Sequence, residues 1–358
     1  MADSRSVHYS GSLTDVGAIK VGHFSRTGNG YLTGTTVVLT GQGAVAGVDV
    51  RGGGPGTRET DVLRPENLVQ RVHGIVLTGG SAYGLGAAQG VMEELEDQHV
   101  GYPVGESPQW VVPIVPAAVI FDLGRGGNFR MRPDASFGRR AAKRAHSHTD
   151  HMGTVGAGVG ARSGGLRGGL GMASMTLADG AIVSALAVVN SIGSVINPET
   201  ALPWDLNQGR LHKPSAIDRR RLIKYLSSLQ QGNKMPASPS LNTTIGVVAT
   251  NQSLTKSECK KFASVAHDGL ARAIRPAHLM NDGDTIFGLS VAQGDLTLEA
   301  REPAFIDPHG RPAFLNAILA AGAQVFSRAC TEAILTATST KNLPCYRELC
   351  PSAFSDMP

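Results

Sequence analysis

Apolar positions in this chain follow two periods. Short β-branched or apolar runs at 19–21, 35–39, 44–50, 74–77, 245–250 and 285–291 predict strands. Runs at 174–177 and 182–189 flank Asp179-Gly180, a favoured turn dipeptide, and predict a hairpin. Longer stretches predict helices. Residues 64–72 read as helical, with Pro65 at an early position and Glu66 in the first turn. Residues 82–96 are rich in Ala, Leu, Met and Glu, 133–145 contain a basic helix, and 312–335 are rich in Ala. Over 256–273, Thr255 fits as N-cap with Glu258 completing a capping box. Residues 111–120 carry Pro113 and Pro116, which excludes a central antiparallel strand throughout.

Between these elements lie a lead over 1–12, a Gly52–56 loop, Gly-rich turns over 155–171, and a polar loop over 229–240 with Gly232, Pro236 and Pro239. Strands on both sides of long apolar helices predict a layered α/β protein.

Composition narrows the class. A chain of 358 residues can bury a large core as one α/β domain or two smaller ones. The 45 glycines sit inside apolar segments without a period, so they mark tight turns and close packing. A net charge of +4 is too mild to argue for nucleic acid, and Arg219, Arg220, Arg221 and Lys224 read as an exposed helix face. Cys259, Cys330, Cys345 and Cys350 have no zinc spacing; with no apolar leader, reduced thiols in a cytoplasmic protein are expected. No stretch approaches 18 uninterrupted apolar residues, so no membrane contact is expected. His146, His148, Asp150 and His151 read as a solvated loop, and His23 and His73 as core or hydrogen-bonded residues. No metal and no cofactor are expected. Gly156–160 lacks the dinucleotide spacing, and Ser81 lacks the glycine at position 83 that a serine-hydrolase elbow needs.

The most informative stretch is Ser240-Leu241-Asn242-Thr243-Thr244-Ile245. If the chain is cut after Asn242, Thr243 heads a core strand carrying a hydroxyl nucleophile and a free α-amine. Such an amine titrates near pH ~7.7–8.0, so a useful fraction is neutral and can act as base.

This pair stands among other motifs: Leu13-Thr14-Asp15-Val16, Arg51-Gly52-Gly53-Gly54-Pro55-Gly56-Thr57, Leu77-Thr78-Gly79-Gly80-Ser81-Ala82-Tyr83, Val188-Val189-Asn190-Ser191, and Asn281-Asp282-Gly283-Asp284-Thr285. Together they resemble the P1 peptidase family of L-aminopeptidase/D-esterase enzymes, β-peptidyl aminopeptidases and nylon-oligomer endo-hydrolases, from about residue 12 to about 352. The resemblance implies a four-layer α-β-β-α sandwich of the self-processing N-terminal-nucleophile type. It further implies cleavage between Asn242 and Thr243 into a large chain, 1–242, and a small chain, 243–358. The two fragments would remain partners, in a homotetramer of such heterodimers.

Each site residue then has an expected role. Thr243 is the nucleophile. Asn190 matches the family asparagine, suited to an oxyanion hole, with Asn197 as its rival. Asp282 and Asp284, two apart, can share one face and orient the α-ammonium or bind a substrate amine; the nylon-hydrolase branch has aspartates at both offsets. Arg167 stands where the family commonly has lysine, which preserves a charge but not a proton-transfer group. Tyr83 and Ser81 are candidate pocket residues. The expected substrates are small peptides, amides or aminohexanoate oligomers. Two alternatives stay open: an acyltransferase of the ornithine acetyltransferase type, and a non-catalytic protein keeping the fold.

Overall fold

The computed structural model describes residues 11–205, 211–231, 242–292 and 310–354. Its centre is a nine-stranded sheet. The strands are β1 (Lys20–Gly28), β2 (Tyr31–Val50), β3 (Thr57–Arg58), β4 (Arg71–Thr78), β5 (Ala117–Val119), β6 (Gly169–Thr176), β7 (Ile182–Asn190), β8 (Thr243–Thr250) and β9 (Thr285–Ser290). They run in the order β6-β7-β8-β9-β2-β4-β5-β3, with β1 also on β2. Among the described residues, helices α1 (Ala87–Glu96), α2 (Ala135–Lys143), α4 (Lys256–Ala273) and α5 (Arg311–Leu335) pack on the sheet, while α3 (Ala216–Gln231) packs against the short helix Tyr346–Leu349.

β2 carries the sheet from one half to the other. β1 pairs with its residues 31–39 and β9 with 45–50, and the register against β4 shifts between Leu39 and Ala44. The two halves face each other across one core, where Leu186, Val188, Ile245, Val247, Phe287 and Leu289 meet Val21, Val38, Ile75 and Leu77. Alternate residues of the same strands face outward. Val183, Ala185, Ala187 and Val248 pack beneath α4 and α5, and Val37, Leu39 and Val76 pack beneath α1 and α2. Period-two alternation on strands buried on both faces thus yields helix, sheet, sheet and helix layers, the sandwich that the motifs implied.

Most predicted elements stand. α4 begins with the Thr255–Glu258 capping box, closed by Thr255 N–H to Glu258 Oε2 at 2.8 Å and Glu258 N–H to Thr255 Oγ1 at 3.2 Å. Pro113 and Pro116 flank short pieces, a ribbon between Tyr102–Pro103 and Val111–Val112 and the parallel strand β5. Arg219, Arg220, Arg221 and Lys224 are exposed on α3. The four cysteines are free and buried.

The helix expected over 64–72 is absent. A 3-10 turn at Asp61–Leu63 precedes a loop, and Arg71 and Val72 already belong to β4. Leu68 is 78% exposed, so this segment has no apolar stripe to bury and helix-compatible residues alone do not form one. Residues 82–96 split into a turn, Ser81–Gly84, and α1. The Gly-rich turns end early because β6 starts at Gly169. The start of the loop expected over 229–240 is helical, since α3 runs to Gln231, and its remainder lies outside the described residues. By length and hydropathy α5 could cross a membrane, yet 56% of its most apolar stretch is buried inside the protein, against α4, β6 and β7.

Candidate active site

β8 lies between β7 and β9, with Asn190 directly opposite Thr243. Opposed residues of an antiparallel pair project to the same face. Here that face looks into the gap between the sheet halves, as Val188 and Ile245 next along each strand show. Thr243, Asn242 and Asn190 are all buried.

The backbone continues from Asn242 into Thr243, and the Thr243 hydroxyl is hydrogen-bonded to the Asn242 carbonyl oxygen. The Gly283 N–H donates to the same carbonyl oxygen at 3.1 Å and lies 3.2 Å from Thr243 Oγ1. Gly283 must be glycine for this approach. A Cβ there would stand 2.8 Å from Thr243 Oγ1 and 2.9 Å from the Gly54 carbonyl oxygen. The Gly52–54 loop holds the segment from behind. Its Gly54 N–H donates to Asp282 O at 2.7 Å, and a Cβ on Gly52 would meet that oxygen at 2.3 Å. These glycines serve backbone contact between two loops.

Asp282 and Asp284 are buried beside the head of β8. Asp284 Oδ1 accepts the Thr244 N–H at 2.7 Å, while its Oδ2 accepts the His278 N–H at 3.1 Å and lies 2.8 Å from His278 Nδ1. Asp282 Oδ2 accepts the Leu279 N–H at 2.8 Å; its Oδ1 is buried with no partner among the described residues. Burial raises the Asp282 carboxyl above the ordinary carboxylate range; the Leu279 N–H opposes this, while the Asp284 charge adds to it.

Asn190 is held by groups the sequence did not single out. Its Oδ1 accepts Arg125 Nη1 at 2.5 Å and the Arg162 N–H at 3.1 Å. Two donors on one oxygen fix which end of the amide is which, leaving Nδ2 as donor, 3.4 Å from Phe121 O. Burial pushes the Arg125 guanidinium down to about 9, with Asp122 opposing and Arg162 and Arg167 reinforcing the shift, so it stays charged at neutral pH. Arg125 lies in a Gly-flanked loop without periodicity, and only the fold brings it to Asn190.

The other named residues stand further off. Arg167 is buried, donating to Val159 O at 2.6 Å and Thr338 O at 3.2 Å, so its charge adjoins this cluster through Arg125 and not through Thr243. Tyr83 is exposed beneath the Arg132 guanidinium, and the Ser81 N–H donates to Ile120 O. Asn197 is engaged in its own turn, accepting the Glu199 N–H at 2.8 Å. His146, His148, Asp150 and His151 line a cavity of about 410 Å³ with His23. Among the described residues no His, Cys, Asp and Glu group could hold a metal ion.

Against known proteins, the sequence model of peptidase family S58 matches residues 11–344. The chain belongs to peptidase family S58. It is 46% identical over 352 residues to an uncharacterized aminopeptidase of Mycobacterium tuberculosis, covering 96% of this chain and 99% of the relative. It is 29% identical over 270 residues to a 6-aminohexanoate-oligomer endohydrolase of Kocuria sp., covering 74% and 71%. Among solved structures, a Burkholderia sp. beta-aminopeptidase superposes with a TM-score of 0.65 at 20% identity, over 95% of this chain and 92% of that one. The L-aminopeptidase D-Ala-esterase/amidase of Ochrobactrum anthropi, described as a variant of the Ntn hydrolase fold, gives 0.66 at 18% identity, over 91% and 86%. These two likenesses establish the fold. Membership of S58 places the chain among enzymes that hydrolyse peptide or amide bonds.

Behind the site, His267 on α4 is fully buried, with Nε2 3.0 Å from Asp49 O. Its ring lies edge-on to His278 at 5.0 Å. Burial lowers it to about 4, helped by His278 and opposed by the Asp49 carbonyl bond. A depressed histidine favours the folded state fully above its unfolded value near pH ~6.5, and that stability is lost as pH falls from there through about 4. The loss is about 3 kcal/mol at about 1.4 kcal/mol per pH unit. Urea unfolding at pH 7.0 and 4.0 should therefore show a smaller drop for His267→Gln than for the unsubstituted protein. Equal drops would show that His267 takes up its proton equally in the folded and unfolded states, so that burial does not depress it.

Proposed function

We propose that the chain is a self-processing N-terminal-threonine amidohydrolase. One observation carries this reading: the Thr243 hydroxyl and the Gly283 N–H converge on the Asn242 carbonyl at the head of a central strand. Thr243 Oγ attacks the Asn242 carbonyl carbon, and the Gly283 N–H faces the oxygen on which negative charge develops. Collapse breaks the C–N bond as the hydroxyl proton passes to the departing Thr243 nitrogen, and leaves the acyl group on Oγ as an ester. Water then hydrolyses the ester, leaving a carboxylate on Asn242 and a free amine on Thr243. The fragments 1–242 and 243–358 stay together because β8 and β9 lie inside the sheet, between β7 and β2.

In the processed enzyme the Thr243 α-amine takes the hydroxyl proton as Oγ attacks a substrate amide. The Asn190 amide donates to the tetrahedral oxyanion. The leaving amine departs with the proton from the α-ammonium, and water releases the acyl group. The buried Asp282 and Asp284 supply negative charge for the α-ammonium or a substrate amine. The substrates are small peptides, amino-acid amides or aminohexanoate oligomers, and the paired aspartates favour the site type of the oligomer hydrolases.

The deciding experiment is denaturing intact-mass analysis with N-terminal sequencing of freshly purified protein. Two fragments, the smaller starting at Thr243, support the reading. A chain that stays whole on long incubation refutes it. Processed protein is then assayed with alanine p-nitroanilide, a β-amino-acid amide and a linear 6-aminohexanoate oligomer. Turnover of acetyl-ornithine with glutamate as acceptor, in place of these, would make it an acyltransferase. Gly283→Ala should slow fragment formation at least about tenfold, the effect of about 1.4 kcal/mol, because the new methyl displaces the nucleophile. An unchanged rate would remove Gly283 from the site.

A further inference from the structure

The turn before β9 contains a group no motif marked. His278 holds a left-handed backbone, φ 60°, an uncommon state for a residue with a side chain. In this conformation its backbone N–H and its ring Nδ1 both meet one oxygen, Asp284 Oδ2, at 3.1 and 2.8 Å. The other oxygen, Oδ1, accepts the Thr244 N–H, one residue from the proposed nucleophile.

The neighbouring groups settle the tautomer. A ring nitrogen facing a carboxylate oxygen carries the proton, so Nδ1 donates. Nε2 is buried with no partner among the described residues. The charged or titratable groups around the pair are Asp282 on the same turn, His267 on α4, with Asp49 at the end of β2 and Arg51 just after it beyond the ring, and the Cys330 thiol on α5. His267 is neutral near pH 7 because burial holds it at about 4. His278 is thus the side chain that hydrogen-bonds the Asp284 carboxylate.

We propose that His278 is a positioning residue that holds Asp284 against the head of β8 and tempers its charge, keeping the processed Thr243 α-amine neutral enough to act as base. This rests on the self-processing reading above. A carboxylate beside an amine favours the ammonium and raises its pKa. A hydrogen bond to that carboxylate draws off part of the charge and weakens the pull. Without His278 the amine should hold its proton to higher pH.

The test uses processed protein and needs no substrate. Cyanate carbamylates only the neutral amine, so the pH dependence of carbamylation at Thr243, localised on the N-terminal peptide of the 243–358 fragment, reports that amine's pKa. His278→Gly removes the donor and suits the left-handed backbone. His278→Asn also tolerates that backbone and restores an N–H donor at the Nδ1 position. The carbamylation midpoint should rise by about one pH unit in His278→Gly, the scale of one hydrogen bond to a charged group. It should return toward the native midpoint in His278→Asn. Equal midpoints in all three proteins would overturn the proposal and leave self-processing intact. An unsubstituted chain that never yields the 243–358 fragment would overturn both. If His278→Gly folds with a native circular-dichroism spectrum but does not mature, rescue by His278→Asn supports the positioning role in the cleavage step itself. Failure of both to mature refutes donation as its basis.

Discussion

Thr243→Ala should leave the chain whole on a denaturing gel and inactive on every amide tested. The expected loss is complete within detection, because in the proposed mechanism one atom, Oγ, serves both the cleavage of the Asn242–Thr243 bond and the attack on substrate. The fold should survive. Thr243 is buried at the first position of β8, where its side chain adds little to a core built from Ile245, Val247 and Val248. An unchanged melting temperature with no fragments would isolate the chemistry from the folding. Thr243→Ser retains the hydroxyl and should mature, more slowly, since serine lacks the β-methyl that restricts χ1. Fragments starting at position 243 in the alanine variant would mean that another protease cuts there, and would refute the mechanism.

Asn190→Ala should lower kcat about 10²–10³-fold, the loss of about 2.7–4 kcal/mol that follows removal of one oxyanion donor. KM should change little, because in the proposed mechanism the amide meets charge that develops only in the transition state. A stability cost accompanies it. Asn190 Oδ1 satisfies Arg125 and the Arg162 N–H, so truncation leaves a buried guanidinium short of one acceptor. Steady-state kinetics on processed protein decide the matter. A rise in KM with kcat intact would reassign Asn190 to substrate binding.

The legible parts of this site were local. Asn242-Thr243 before an apolar run places a hydroxyl at a strand head, and Asp-Gly-Asp before another run places two carboxylates at a strand entrance. The capping box of α4 was legible for the same reason, since its two bonds join residues three apart. Arg125, Gly283 and His278 were not. Arg125 reaches Asn190 across 65 positions of sequence, and Gly283 reaches Thr243 across 40. No local pattern encodes such distances. His278 is near Asp284 in sequence, but its role depends on a left-handed backbone that a histidine rarely takes.

The misread helix over 64–72 has the complementary cause. Its residues tolerate a helix, but the fold needs Val72 opposite Ala44 in the ladder, and tertiary pairing overrides a weak propensity. Alternation, capping and turn chemistry by themselves determined that this chain makes a layered α/β protein with a threonine heading a core strand. Only the tertiary structure decided that Thr243 lies opposite Asn190, touches the Gly283 backbone and sits within one residue of a carboxylate held by His278. The physical reason is range. Hydrogen-bonded turns and periodic faces are set by neighbours a few residues apart, whereas a catalytic constellation is assembled by sheet register and by glycines that let distant backbones meet.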